Sequence, residues 1–141
     1  MRFHKDPKVE AIHQVPLFAR CSKSELERIA QLADEVDLAA GKTLTQEGGT
    51  GREFFVLLEG TADVSRDGTA LASIGPGDFF GEISLVTDVP RTATVTTSSP
   101  VVALVITDRA FRELMREQPE IQGKVLEAVA ERLANLYLLR T

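Results

Sequence analysis

Residues 53–74 read EFFVLLEGTADVSRDGTALASI. Three β-rich runs, EFFVLLEG, TADVS and ALASI, are joined there by residues that suit turns. Asp67-Gly68 lies between the second and third runs, and Asp-Gly is a pair that tolerates the positive φ angles of a two-residue hairpin loop. A hairpin is predicted around Arg66-Asp67-Gly68-Thr69. Glu59-Gly60 supplies the preceding turn in the same way.

The same texture extends outward on both sides. VDLA (36–39), TLTQ (43–46), TATVTT (92–97) and VVALVIT (101–107) are further β-rich runs, separated by Ala40-Gly41, by Gly48-Gly49-Thr50-Gly51 and by Gly75-Pro76-Gly77-Asp78. Short strands at this spacing predict a small antiparallel roll, jelly-roll-like in its folding back. Beyond the roll the pattern turns helical. Residues 8–13 predict a short helical turn, and Ser22 or Ser24 an N-cap, with Glu25 and Glu27 in the first turn and Leu26, Ile29, Ala30 and Leu32 at helical spacing. After Thr107, Asp108 is the predicted cap of DRAFRELMREQ; Pro119 interrupts, and apolar Ile121, Val125, Val129, Leu133 and Leu136 mark a second helix. The fold class is α+β. One domain, 1–141, is expected: a helical lead-in over 1–33, a β-roll over 34–107 and two C-terminal helices over 108–139.

At 141 residues and 43% hydrophobic, the chain suits one domain with a core. Sixteen Lys and Arg against 21 Asp and Glu leave a net charge of -5, which repels nucleic acid and anionic membranes, so neither is expected as a partner. An anionic ligand would need a local site. Cys21 is the single cysteine, so no internal disulfide or multi-thiolate zinc site is expected, and a reducing cytoplasm is the simplest location. The N-terminus MRFHKDPKVEAIHQV has no apolar signal region, no run approaches the ~18 apolar residues of a membrane span, and direct transcription-factor function is not expected of these 141 residues, which hold no helix-turn-helix.

Residues 75–97, GPGDFFGEISLVTDVPRTATVTT, carry the chemistry. Gly81 permits a close backbone approach, and Glu82, Ile83, Ser84, Leu85 and Val86 can form a helical turn whose free N–H groups would face an anion. Arg91, fixed behind Pro90, can grip a phosphate through two parallel charge-assisted hydrogen bonds. Glu82 would repel that phosphate, so its use is to accept from hydroxyls such as a ribose 2′-OH. Together they describe a ribose-phosphate clasp. The competing account is that Arg91 and Glu82 form a structural ion pair and that Thr92 is an ordinary strand residue.

FGEISLVTDVPRTATV resembles the phosphate-binding cassette of cyclic nucleotide-binding domains, and EFFVLLEGTADV resembles the strand-turn-strand before it. The resemblance implies a β-roll with helices at both ends that senses a 3′,5′-cyclic nucleotide, cAMP ahead of cGMP, without catalysis or metal. It implies that Gly81 and Glu82 contact the ribose, that backbone N–H groups around Ile83 and Ser84 hold the phosphate with Arg91, and that Thr92 faces phosphate or base. Val64 on the preceding strand is assigned to the base pocket, and Arg132, on a last helix expected to close as a lid, to the base itself. The apolar run Leu133, Leu136, Tyr137, Leu138, Leu139 points to homodimerisation or to an effector domain docked on that helix. A nucleotide-independent scaffold using the same helix is the alternative.

Other signals are bland. Gly41-Lys42-Thr43 lacks the phosphate loop's first glycine, since Val36 occupies that place, and an extended run follows it. Gly75, Gly77 and Gly81 are not spaced as a dinucleotide fingerprint. Asp34 and Glu35 read as solvated surface, Cys21 as apolar filler without His4 or His13 as a base, and His13 as packing or surface.

Overall fold

The computed structural model describes residues 7–81 and 90–140; in the last helix the side chains at 128–129, 132–133 and 135–140 fall outside that description. Helix α1 (Pro7–His13) leads through a 3-10 turn at Pro16–Phe18 to α2 (Lys23–Leu32). Among the described residues eight strands follow: β1 (Asp34–Leu38), β2 (Thr43–Thr45), β3 (Glu53–Glu59), β4 (Ala62–Arg66), β5 (Thr69–Ile74), β6 (Phe79–Phe80), β7 (Thr94–Thr97) and β8 (Val101–Thr107). Helices α3 (Asp108–Glu117) and α4 (Pro119–Arg140) end the fold. No described helix is long and apolar enough to cross a membrane.

Two four-stranded antiparallel sheets, ordered β1-β8-β3-β6 and β2-β7-β4-β5, make the expected α+β roll. The hairpin forms at Asp67 and Gly68, whose φ angles are 52° and 76°; both positive values are what a mirror-image turn requires. It joins β4 to β5 with Arg66 opposite Thr69. Strand β6 was not foreseen: two residues after the Gly75–Asp78 turn are too few to show a period, yet Phe79 and Phe80 pair with Val56 and Phe55.

Local chemistry sets the helix starts. At α2 the Ser22 Oγ accepts from the Glu25 N–H at 3.2 Å, and Glu25 Oε1 accepts from the Ser22 N–H at 2.7 Å. This reciprocal capping box satisfies two donors that the first turn leaves open. At α3 the cap is Thr107, not the expected Asp108: the Thr107 Oγ1 accepts from the Ala110 N–H, and Asp108 is the first helical residue. Both residue types cap well, and the last strand residue arrives with the extended backbone that a cap needs.

Alternation along two strands divides the interior. On β3, Phe55 and Leu57 join Ala62, Phe80, Val95, Val101 and Ala103 inside the roll. Phe54 and Val56 join Leu104 and Ile106 on the other face, under Ile12, Phe18 and Ile29 from the N-terminal helices and Phe111, Leu114 and Ile121 from the C-terminal ones. Phe55 stacks on Phe80 with ring centres 4.9 Å apart, whereas Phe54 meets Phe111 of α3 at 5.5 Å. Strands β3 and β8 therefore wall off two cores. Helix α4 packs on the 3-10 turn and on α3.

Candidate functional site

Gly81 follows β6 with φ +94°. A Cβ placed on it would lie 2.6 Å from the Glu53 carbonyl oxygen and 2.7 Å from Arg91 Nη1, closer than atoms pack. Two separate demands, a left-handed backbone and a crowded approach, thus select glycine at this position.

Arg91 is the other fixed point. Only 7% of it is exposed. Its Nη2 donates to the Glu53 carbonyl at 2.7 Å and its Nη1 to the Gly81 carbonyl at 3.3 Å. The backbone is held as firmly: the Arg91 N–H donates to Gly49 O, and the Gly48 N–H donates to Arg91 O, both at 2.9 Å. Gly48 and Gly49, read in the sequence as a turn alone, thereby anchor the arginine's main chain. A guanidinium kept largely from water and aimed by carbonyl dipoles is costly unless hydrogen-bonded. In such surroundings an arriving anion is attracted more strongly than at an open surface.

The remaining predicted residues fall into three groups. Thr92 is exposed beside Arg91, and its carbonyl accepts from Arg66 Nε at 2.8 Å. Val64 sits half-buried on β4, opposite Val95 of β7 and Ala72 of β5, and packs against the inner core. Glu82, Ile83 and Ser84, with the helical turn expected after them, lie outside the described residues, as does the side chain of Arg132. The apolar run from Leu133 to Leu139 does too. Gly81 and Arg91 are the pair brought together.

Two features escaped the sequence reading. The Glu53 carbonyl, which orients Arg91, is a backbone atom 38 residues away, and no side-chain pattern announces it. Leu71 is 50% exposed on β5, where the pairing with β4 slips between Val64 and Ser65. β5 is an edge strand exposed from Thr69 to Ser73, so Leu71 lies open together with its neighbours. Periodicity alone had read Leu71 as part of an ordinary strand.

Elsewhere the described residues offer little chemistry. An open cavity of ≈ 440 Å³ beside Leu38, Glu59 and Val101 contains none of the predicted residues. Cys21 is buried, and that burial pushes its thiol pKa up, away from the reactive thiolate. No cluster of three or more His, Cys, Asp or Glu suited to a metal occurs among the described residues.

Known proteins resemble this chain along most of its length. The family model of the cyclic nucleotide-binding domain matches residues 35–118. A CRP-like cAMP-activated global transcriptional regulator of Mycobacterium tuberculosis is 30% identical over 129 residues, covering 88% of this chain and 58% of that protein. A cAMP-dependent protein kinase regulatory subunit of Mycosarcoma maydis is 31% identical over 110 residues, 72% of this chain but 21% of that one. The chain thus spans between a fifth and three-fifths of these two relatives. Among solved structures, the Thermus thermophilus catabolite activator protein superimposes with a TM-score of 0.80 at 24% identity, over 87% of this chain and 60% of that chain.

Proposed function

The chain belongs to the cyclic nucleotide-binding domain family, and on that premise we propose that it is a non-catalytic sensor of a 3′,5′-cyclic nucleotide, cAMP ahead of cGMP. The observation that carries this reading is the nearly buried Arg91, aimed by the Glu53 and Gly81 carbonyls beside a glycine of positive φ. A guanidinium so oriented is suited to two parallel bonds with a cyclic phosphate. Gly81 and the Glu82 carboxylate would take the ribose 2′-OH, and backbone N–H groups around Ile83 and Ser84 would complete the phosphate site. Thr92 would face phosphate or base. Val64 and the exposed Leu71 offer apolar surface for the base, with Arg132 as a further contact. The preference for cAMP leans on the Mycobacterium relative, which is named as cAMP-activated.

The signal would be mechanical. Arg91 donates to the carbonyl of Glu53, the residue before Phe54, and Phe54 packs on Phe111 of α3. A ligand that binds one placement of the C-terminal helices better than another shifts the population toward it. The two relatives carry a transcriptional and a kinase-regulatory name, so the effector is open to either class, and the cytoplasm is the natural compartment.

Isothermal titration with cAMP and cGMP is the direct test. Saturable heat with cAMP, weaker with cGMP, is expected. No heat and no competition at millimolar nucleotide would overturn the reading in favour of a nucleotide-independent scaffold, for which Leu126 of α4, 54% exposed, is a starting contact.

A further inference from the structure

The outer face of α3 carries charge opposite in sign to the chain as a whole. Arg109, Arg112 and Arg116 are all exposed, and spacings of three and four residues stack them along one side of the helix, away from the buried Phe111 and Leu114. Arg52 joins them at the helix start, its side chain 68% exposed and 3.1 Å from Asp108. Arg112 approaches the same carboxylate at 3.9 Å. One carboxylate therefore serves two guanidinium groups. On the other flank, Glu113 and Glu117 are engaged by Arg28 of α2, at 3.2 and 2.6 Å.

Part of this stripe is opposed by its own helix. Arg109 stands in the first turn, where the helix dipole disfavours a cation. Arg112 and Arg116, four residues apart, repel one another. Asp108 offsets Arg112, and Arg116 suits the last turn, so what exceeds the helix's own needs is the placing of all three arginines on one exposed line, and that marks a candidate functional surface. With a net charge of -5, the whole molecule repels polyanions such as nucleic acid or anionic membranes. A short acidic protein segment meets only the local stripe.

We propose that the outer face of α3 docks an acidic segment of a partner protein, with carboxylates paired to Arg109, Arg112 and Arg116. The guanidinium fork suits paired bonds to a carboxylate. The seven steps from Arg109 to Arg116 span about 10 Å of helix axis, the length of two turns. An acidic helix with carboxylates at the matching spacing therefore fits. Arg109, Arg112 and Arg116 are not among the residues assigned to the nucleotide, so the test reads peptide binding with nucleotide left out.

The probe is a synthetic helical peptide of about 15 residues with glutamates at i, i+3 and i+7, titrated at about 0.15 M salt, where long-range charge effects are screened. The intact chain should bind it. R109Q/R112Q/R116Q, which keeps good helix formers in α3, should weaken binding roughly tenfold, and R109E/R112E/R116E more. The matched control R20Q/K23Q/K42Q, made at other exposed cations, should change it less than about twofold. Far-ultraviolet dichroism and thermal unfolding verify that each variant is folded. No binding at millimolar peptide, an equal loss in the control, or stripe-dependent binding that is tighter to duplex DNA or phosphatidylserine vesicles would each overturn the proposal.

Discussion

Arg91 puts most of a positive charge out of water and lets two carbonyls decide where it points. Truncation to alanine removes the charged donors while leaving the loop's backbone bonds in place. Arg91→Ala should therefore lower cyclic nucleotide affinity roughly 30-fold, about 2 kcal/mol, in a calorimetric titration. A loss below about threefold would mean the phosphate binds elsewhere. Gly81 makes a different prediction. Because its Cβ would collide with Glu53 O and Arg91 Nη1 at a φ of +94°, Gly81→Ala should destabilise the fold by about 1–3 kcal/mol; an unchanged urea midpoint would contradict the crowding argument. At this scale the sequence made Gly81 and Arg91 legible because their chemistry lies within one short motif. The Glu53 carbonyl was hidden, since only folding brings a main-chain atom from a distant strand beside the arginine.

Among the elements, legibility followed how local each determining interaction is. The Asp67-Gly68 hairpin is settled within a few residues and could be read directly; the start of α2 could be read only as Ser22 or Ser24, and the reciprocal bonds of Ser22 with Glu25 decide it. β6 depends on partners in β3, and the capping choice between Thr107 and Asp108 depends on where β8 stops, so neither could be read. The same distinction governs how the helices are fastened. Arg28 of α2 donates from Nε and Nη2 to the two Glu117 oxygens of α3 at 2.6 and 2.7 Å, a clamp across 89 residues of sequence. The Arg28 hydrogen bond is the main cause that lowers the Glu117 carboxyl pKa. A carboxylate with a folded pKa below its unfolded value binds fewer protons when folded, so its contribution is full above the unfolded pKa and is lost as pH falls through the folded one. Glu117→Gln should lower Tm at about pH 7, and the gap from the parent should close as the pH falls below about 4. A gap that survives full protonation would assign the effect to packing instead.

The whole molecule is two cores on either side of one pair of strands, with the candidate site at the margin where β3 begins. A nucleotide bound only by the folded chain adds to its stability by mass action. At about 100 times Kd this amounts to about 2.7 kcal/mol, or roughly 8 °C in Tm for a domain of this size. A cAMP-dependent shift of that order in a thermal melt, greatly reduced in Arg91→Ala, is expected; a shift of under about 1 °C at saturation would be inconsistent with selective binding to the folded state.

The dividing strands have a further consequence, for the chain before it is folded. Burial on both faces asks β3 and β8 to be apolar without alternation, and 54–58 (FFVLL) and 101–106 (VVALVI) comply. Uncharged runs of this kind are prone to cross-β aggregation when exposed. Each is bracketed by a breaker: Glu53 and Glu59 around the first, Pro100 and Asp108 about the second. Glu59 is exposed in the native fold, so Glu59→Val should leave Tm nearly unchanged and raise light scattering during refolding from denaturant. If scattering stayed at the parent level, that carboxylate would have no gatekeeping role. The strands that divide the finished molecule most completely are those its unfolded chain most needs to keep apart.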